Sequence, residues 1–266
     1  MSTEIPQGVS KSSLQAFVLA LADDELVLGH RDSEWTGYAP ILEEDIAFSN
    51  IAQDELGHSL IWYSLYEKLG GQDPDRMGFE REWKDFICCR FVTYPKGDFA
   101  YTVVRQFLFD VAEEERLELL KKSTFAPLTE IAEKIIREEA YHILHTQGLV
   151  ERLGDATEES HRRMQAAAEV AFPQALGMFE TLEGEEELVK AGVFAGNKVL
   201  REAWLRRVVP VFQQATLTLP VDGANGSYQP RCSADEGGRK KQHTEHLKPL
   251  VDDLQSVYRS IPKARW

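Results

Sequence analysis

Two segments of the chain, Glu55-Leu56-Gly57-His58 and Glu139-Ala140-Tyr141-His142, share one spacing, a glutamate followed three residues later by a histidine. On an α-helix, positions i and i+3 lie on one face a turn apart, so each segment can offer a carboxylate and an imidazole to a metal ion. Carboxylates are hard, anionic and able to bridge cations, while imidazole suits iron and other transition metals. Two such segments imply two metals. The inventory matches a four-helix bundle with a carboxylate-bridged di-iron or di-manganese centre, which takes a Glu-x-x-His pair from each of two helices and a lone carboxylate from each of the others. One pair alone would say little, because capping and surface ion pairing produce the same spacing. Two copies, with acids on the helices between them, are far more specific.

The lone carboxylates must come from the first and third helices of such a bundle. The first offers Asp23, Asp24 and Glu25; the third offers Asp110, Glu113, Glu114, Glu115 and Glu118. If two similar antiparallel helix pairs build the bundle, each lone acid should precede its partner glutamate by a similar distance. Glu25 precedes Glu55 by 30 residues and Asp110 precedes Glu139 by 29, a match that supports Glu25 and Asp110 among these acids, although connection lengths differ. The candidate ligands are therefore Glu25, Glu55, His58, Asp110, Glu139 and His142. Burying four acids would be prohibitive without cations to offset them. A ligand histidine also needs an acceptor for its second ring N–H. Asp54 and Glu138, one turn before His58 and His142, are the candidates for that role. His145 reads as a pocket-wall or core residue, and His243 with His246 as structural or interfacial. Trp62, Tyr63, Phe107 and Phe109 read as plain core, and His30 and His161 take no role.

Helical periodicity and punctuation supply the elements that must position these residues. A first helix is predicted from Ser12 to about Arg31, capped by Ser12 or Ser13. A second starts at Pro40 and stops at Gly70-Gly71. A connection with one short helix around Phe79 to Phe86 follows. Asp98 caps a third helix that runs to about Lys122, and Pro127 opens a fourth that stops at Gly154. A fifth runs from Thr157 towards Leu182 with a kink at Pro173, and a sixth spans Gly196 to Val209. Leu219 to Gly238 reads as a long loop, and a last helix spans Thr244 to Ile261. No strand alternation of convincing length is present, so the fold class is all-α: a core bundle over about 12–154 and a helical extension over about 157–266, in a single domain.

A net charge of −14 over 266 residues argues against a nucleic-acid-binding surface. Three cysteines, two of them neighbours, do not make a disulfide scaffold and fit a reducing cytoplasm. The opening MSTEIPQGVSKSS lacks a basic stretch followed by an apolar one, and no apolar run approaches the ~20 residues of a membrane span. The expectation is a soluble, cytoplasmic protein that engages neither membrane nor nucleic acid.

At these residues the chain resembles the oxygenase subunits of the bacterial phenylacetyl-CoA epoxidase family. Asp24-Glu25, Trp35, Ala39-Pro40 and Gln53-Asp54-Glu55-Leu56-Gly57-His58 look like the A-type subunit, as do Asp110, Pro127 and Glu138-Glu139-Ala140-Tyr141-His142. The tail, from His243-Thr244-Glu245-His246-Leu247 to the closing Trp266, looks like the C-type subunit, as does the total length. The resemblance implies a ferritin-like four-helix bundle with additional C-terminal helices, acting in phenylacetate catabolism as part of a di-iron monooxygenase that epoxidises the ring of an aromatic acyl-CoA. Partners implied are a homologous A-type subunit, or a second copy of the chain, and a separate reductase. That last expectation agrees with the absence of a Gly-x-Gly-x-x-Gly fingerprint and of a cysteine run for an iron-sulfur cluster. C-type subunits of this family are structural partners that lack most of the ligands, whereas this sequence carries all six. A scaffolding subunit and a ferritin-like iron oxidation or storage protein are the alternative readings.

Overall fold

The computed structural model describes residues 4–261; Trp266, part of the tail resemblance, lies outside them. The fold is all-α, with one small two-stranded sheet among the described residues. Packing divides the chain into two compact units. The first comprises Ser10–Pro95, Leu182–Gly184 and the chain from Gly237 onward; the second holds Lys96–Thr181 and Glu185–Glu236 with the residues before Ser10. No helix among the described residues is long and apolar enough to cross a membrane.

In the first unit, α1 (Lys11–Ser33) and α2 (Leu42–Lys68) form an antiparallel pair. Gln15 at one end donates to the carbonyl of Leu69 at 3.0 Å, and the hydroxyls of Thr36 and Ser49 meet at 2.8 Å at the other. Ser10 caps α1 by accepting from the Ser13 amide, so the cap lies earlier than either serine the sequence suggested. Helix α2 begins two residues after Pro40, with Glu43, Glu44 and Asp45 at the positive end of its dipole. Every residue from Ala20 to Gly29 of α1 is buried, which marks a helix enclosed on all sides. Gly29 is what lets α2 come close: a Cβ there would stand 3.0 Å from Cβ of Glu55 and 3.1 Å from the Ala52 carbonyl oxygen.

The enclosure of α1 is completed by irregular chain. The predicted short helix near Phe79 is instead a π-helical turn, Arg76–Glu80, and a 3-10 turn, Trp83–Asp85. The predicted last helix is two short ones, α8 (Leu247–Leu254) and α9 (Ser256–Ser260), both part of this unit. Residues before Leu247 are held in irregular conformation by side-chain bonds, and buried Gln255 at the break donates to the carbonyls of Gly78 and Arg81, each at 2.9 Å.

In the second unit, α3 (Phe99–Leu120) and α4 (Ala126–Asp155) are also antiparallel, with Asp98 capping α3 and Pro127 in the first turn of α4, as the sequence indicated. A Thr157–Ser160 capping box starts α5 (Glu158–Leu176), which contains Pro173 and ends three residues after it. Three features depart from the sequence reading. A short helix, α6 (Glu185–Lys190), precedes α7 (Asn197–Gln214), and α7 continues past Pro210 because buried Val208, Val209 and Phe212 anchor both sides of the proline. Within the predicted loop, β1 (Val221–Ala224) and β2 (Ser227–Pro230) pair through Asn225-Gly226, both at positive φ. Trp204 of α7 stacks on Phe172 and donates its indole N–H to the Leu108 carbonyl at 2.8 Å, which fixes α3 two residues from Asp110.

The Gly29 contact sets a quantitative expectation. Alanine gains about 1 kcal/mol of helix propensity over glycine, whereas crowding a close-packed backbone costs about 1–3 kcal/mol. Gly29→Ala should therefore lower stability, read as a lower urea midpoint at unchanged slope.

Candidate metal centre

Three consecutive acids, Asp23, Asp24 and Glu25, fall in the fully enclosed part of α1, at most 1% exposed. Asp23 accepts four bonds: from the Tyr63 hydroxyl at 2.6 Å, from Arg81 at 2.5 and 3.1 Å, and from the Ile87 amide at 2.7 Å. Asp24 accepts from the Cys89 amide at 2.7 Å and from both Nη atoms of Arg239 at 2.9 and 2.5 Å. Each carboxylate thus faces a guanidinium fork. The third acid is arranged differently. Glu25 meets Glu55 and His58 of α2, with His58 Nδ1 at 3.9 Å from an oxygen of each.

Ligand atoms of Glu25, Glu55 and His58 all lie within 4.8 Å of one another, and all three residues are buried. Donors around one cation at about 2.1 Å stand roughly 3–4 Å apart. The 3.9 Å separations are too long for hydrogen bonds and of the size that an ion occupies. Two hard carboxylates and an imidazole are also the donor set that iron or manganese accepts, so these residues fit a divalent transition metal.

The second unit holds the other three candidate residues. Glu139 and His142 of α4 are fully buried, with His142 Nδ1 at 3.6 Å from a Glu139 oxygen. Asp110 of α3 is equally buried, and its ligand atom lies within 4.8 Å of that of His142. Neutral donors orient it: Gln106 Nε2 at 2.7 Å and the Thr146 hydroxyl at 2.9 Å, whose one proton is shared with the His142 carbonyl. The other acids of α3 are paired with cations: Glu113 with Arg116, Glu114 and Glu115 with Arg207, and Glu118 with Lys121 at 2.7 Å. Of the acids that the sequence offers on these two helices, Glu25 lies beside His58 and Asp110 beside His142.

Asp54 is half-buried and Glu138 is exposed, each one turn before its histidine. His145 is half-buried. His243 donates through Nε2 to the Phe86 carbonyl at 2.8 Å and sits edge-on to Trp83; the ring of His246 packs against Tyr94. Both make packing contacts of this kind. Trp62, Phe107 and Phe109 are core, whereas Tyr63 turns its hydroxyl to Asp23, and burial next to that carboxylate raises its pKa well above the usual tyrosine value. Cys88 and Cys89 are free and buried; burial pushes the Cys89 thiol up to about 12 and raises that of Cys88 well above the ordinary value, so both stay protonated. Arg81 and Arg239 went unnoticed in the sequence. The signal that would have found them is the acid run itself, which cannot be buried without cations to meet it.

A family described as phenylacetic acid catabolic protein matches residues 2–266 of this chain. The C-type component of the 1,2-phenylacetyl-CoA epoxidase of Escherichia coli (strain K12) is 34% identical over 256 residues, which is 96% of this chain and 100% of that protein.

Burial holds the pKa of His30 and of His243 below the ordinary 6.5. As pH falls through 6.5 the unfolded chain takes up protons that the folded one does not, so this contribution to stability is present above that pH and is lost on acidification. His243→Asn keeps a donor near the Phe86 carbonyl and cannot titrate. Comparing urea midpoints at about pH 7.5 and about pH 5.5 should show a smaller acid loss in the variant than in the wild type.

Proposed function

The chain belongs to the phenylacetic acid catabolic protein family, and on that premise we propose that it is a C-type subunit of a multicomponent phenylacetyl-CoA epoxidase that binds two iron ions. Manganese is the alternative metal. The observation that carries this reading is the buried set of Glu25, Glu55 and His58, whose ligand atoms lie within one ion's span. Asp110, Glu139 and His142 are the corresponding set for the second ion. Bound there, iron would supply the redox chemistry that activates dioxygen for epoxidation of an aromatic ring.

The chain's own residues hold and orient. Helix α1 presents Glu25 to α2, where Glu55 and His58 share a face, and the apolar side chains around them exclude water. Gln106 and Thr146 fix the carboxylate of Asp110 while leaving its negative charge for a cation, because both donors are neutral. A homologous A-type subunit and a separate electron-supplying reductase complete the enzyme in this reading, with an aromatic acyl-CoA as substrate in the cytoplasm. The competing reading is a scaffolding subunit that holds a catalytic homologue and binds no functional metal.

Iron content separates the two. Full-length protein reconstituted anaerobically with ferrous iron should retain it and show the optical and spin-resonance signals of a coupled pair, whereas near-zero iron would establish the scaffold. Glu55→Ala and His142→Ala should each lower bound iron and abolish any turnover supported by the partner subunits. Full iron and activity in either variant would remove that residue from the ligand set.

A further inference from the structure

Asp23 and Asp24 are tied to parts of the chain remote in sequence, and those parts are tied to each other. Arg239 donates to Asp24 and also to the carbonyls of Ala20 and Ile87, at 3.3 and 3.0 Å. Arg81 lies over the Phe86 ring, 3.9 Å from its centre, while it holds Asp23. The segment behind Arg239 is laced to the segment behind Arg81: Arg90 to the Gln242 carbonyl at 2.6 Å, His243 to the Phe86 carbonyl, and Thr93 to Thr244 at 2.8 Å. Arg31, two turns beyond Asp24 on α1, bonds the carbonyls of Thr93 and His246. The result is a collar, residues 81–93 with 239–246, fastened to α1 by three guanidinium groups, those of Arg31 and Arg239 buried and that of Arg81 part-buried.

Helical residues advance by about 100° each. Fixing Asp23 and Asp24 against the collar therefore fixes the direction of Glu25, which follows them by a single step and meets Glu55 and His58. A bidentate guanidinium–carboxylate fork constrains orientation as well as distance. We propose that Arg239 and Arg81 are positioning residues for the Glu25 carboxylate: through Asp24 and Asp23 they set the rotation of α1 that completes the Glu25–Glu55–His58 set. The inference rests on the metal reading above for its purpose, and on the collar's own geometry for its mechanism. It also gives the C-terminal segment a role in the chemistry, since Arg239 reaches α1 from 215 residues away in sequence.

Cobalt(II) is the probe, added to purified full-length protein. In Arg239→Met the affinity should fall about 10–100-fold, the usual effect of removing a group that orients a ligand, and the ligand-field absorption should change. Arg239→Lys keeps the charge and loses the fork, so its affinity should lie between those of Arg239→Met and wild type. Phe17→Leu, a destabilising change in α1 away from the collar, should leave affinity and spectrum as in wild type. Wild-type affinity and spectrum in folded Arg239→Lys and Arg239→Met would overturn the proposal; if Arg239→Met does not fold, Arg239→Lys decides. Absence of cobalt binding in wild type would overturn the metal reading instead. The collar is then judged on the metal-free protein by hydrogen exchange: faster exchange confined to the amides of Ala20 to Leu28 in Arg239→Lys supports it, and unchanged exchange overturns it.

Discussion

Three successive carboxylates inside a helix with no solvent-facing side are the constraint on which the first unit is built. An isolated buried carboxylate is so unfavourable that it either acquires a proton or is met by a cation and hydrogen bonds. Asp23 and Asp24 take the second course. Their cationic partners come from the connection after α2, as Arg81, and from the C-terminal segment, as Arg239, while α2 adds the neutral hydroxyl of Tyr63 on Asp23. The irregular conformation of residues 81–93 and 237–246 follows from this. A regular helix would turn Arg81, Ile87, Cys89 and Arg239 to different sides, whereas the observed path aims two backbone amides and two guanidinium groups at two neighbouring carboxylates.

The second unit solves a similar problem with other means. On α3 the surplus acids are neutralised locally, by Arg116 a turn away and by Arg207 from α7. Asp110 receives an amide and a hydroxyl. A cation beside Asp110 would compete electrostatically with a metal ion, and neutral donors do not. The two units thus each hold two carboxylates and one imidazole among the candidate residues, while differing in support: an ion-pair collar in one, a neutral hydrogen-bond pair in the other.

The legible part of the molecule was the part governed by local rules. Glu-x-x-His spacing, the Asp98 cap, Pro127 at a helix start and the all-α class follow from short-range periodicity and backbone chemistry, and they named six residues, among which Glu25, Glu55 and His58 lie together, Glu139 lies beside His142, and Asp110 lies beside His142. What escaped is of two kinds. Helix α6 is only six residues long, and the hairpin has four-residue strands, so neither gives a pattern long enough to register, although Asn225-Gly226 is the dipeptide that a two-residue hairpin turn prefers. The collar is the second kind. Arg239 stands beside Lys240 and Lys241 in what reads as an exposed basic run, and nothing local distinguishes the one side chain of that run that is 3% exposed.

The energetics bear on whether the buried acids serve packing alone. Buried ion pairs replaced by well-packed apolar groups often leave a protein equally stable or more so, by about 1–4 kcal/mol. A helix whose task was only to fill the centre of a bundle would lose nothing by carrying leucine or methionine at 23, 24 and 25. The arginine forks on Asp23 and Asp24 are directional devices, and their cost is intelligible if direction matters for something nearby. Glu25 is that neighbour, and it meets a second carboxylate and an imidazole. Two adjacent acids neutralised by forks and a third turned towards metal-compatible donors form a single arrangement, in which the ion pairs make sense as the frame for the residue that they flank.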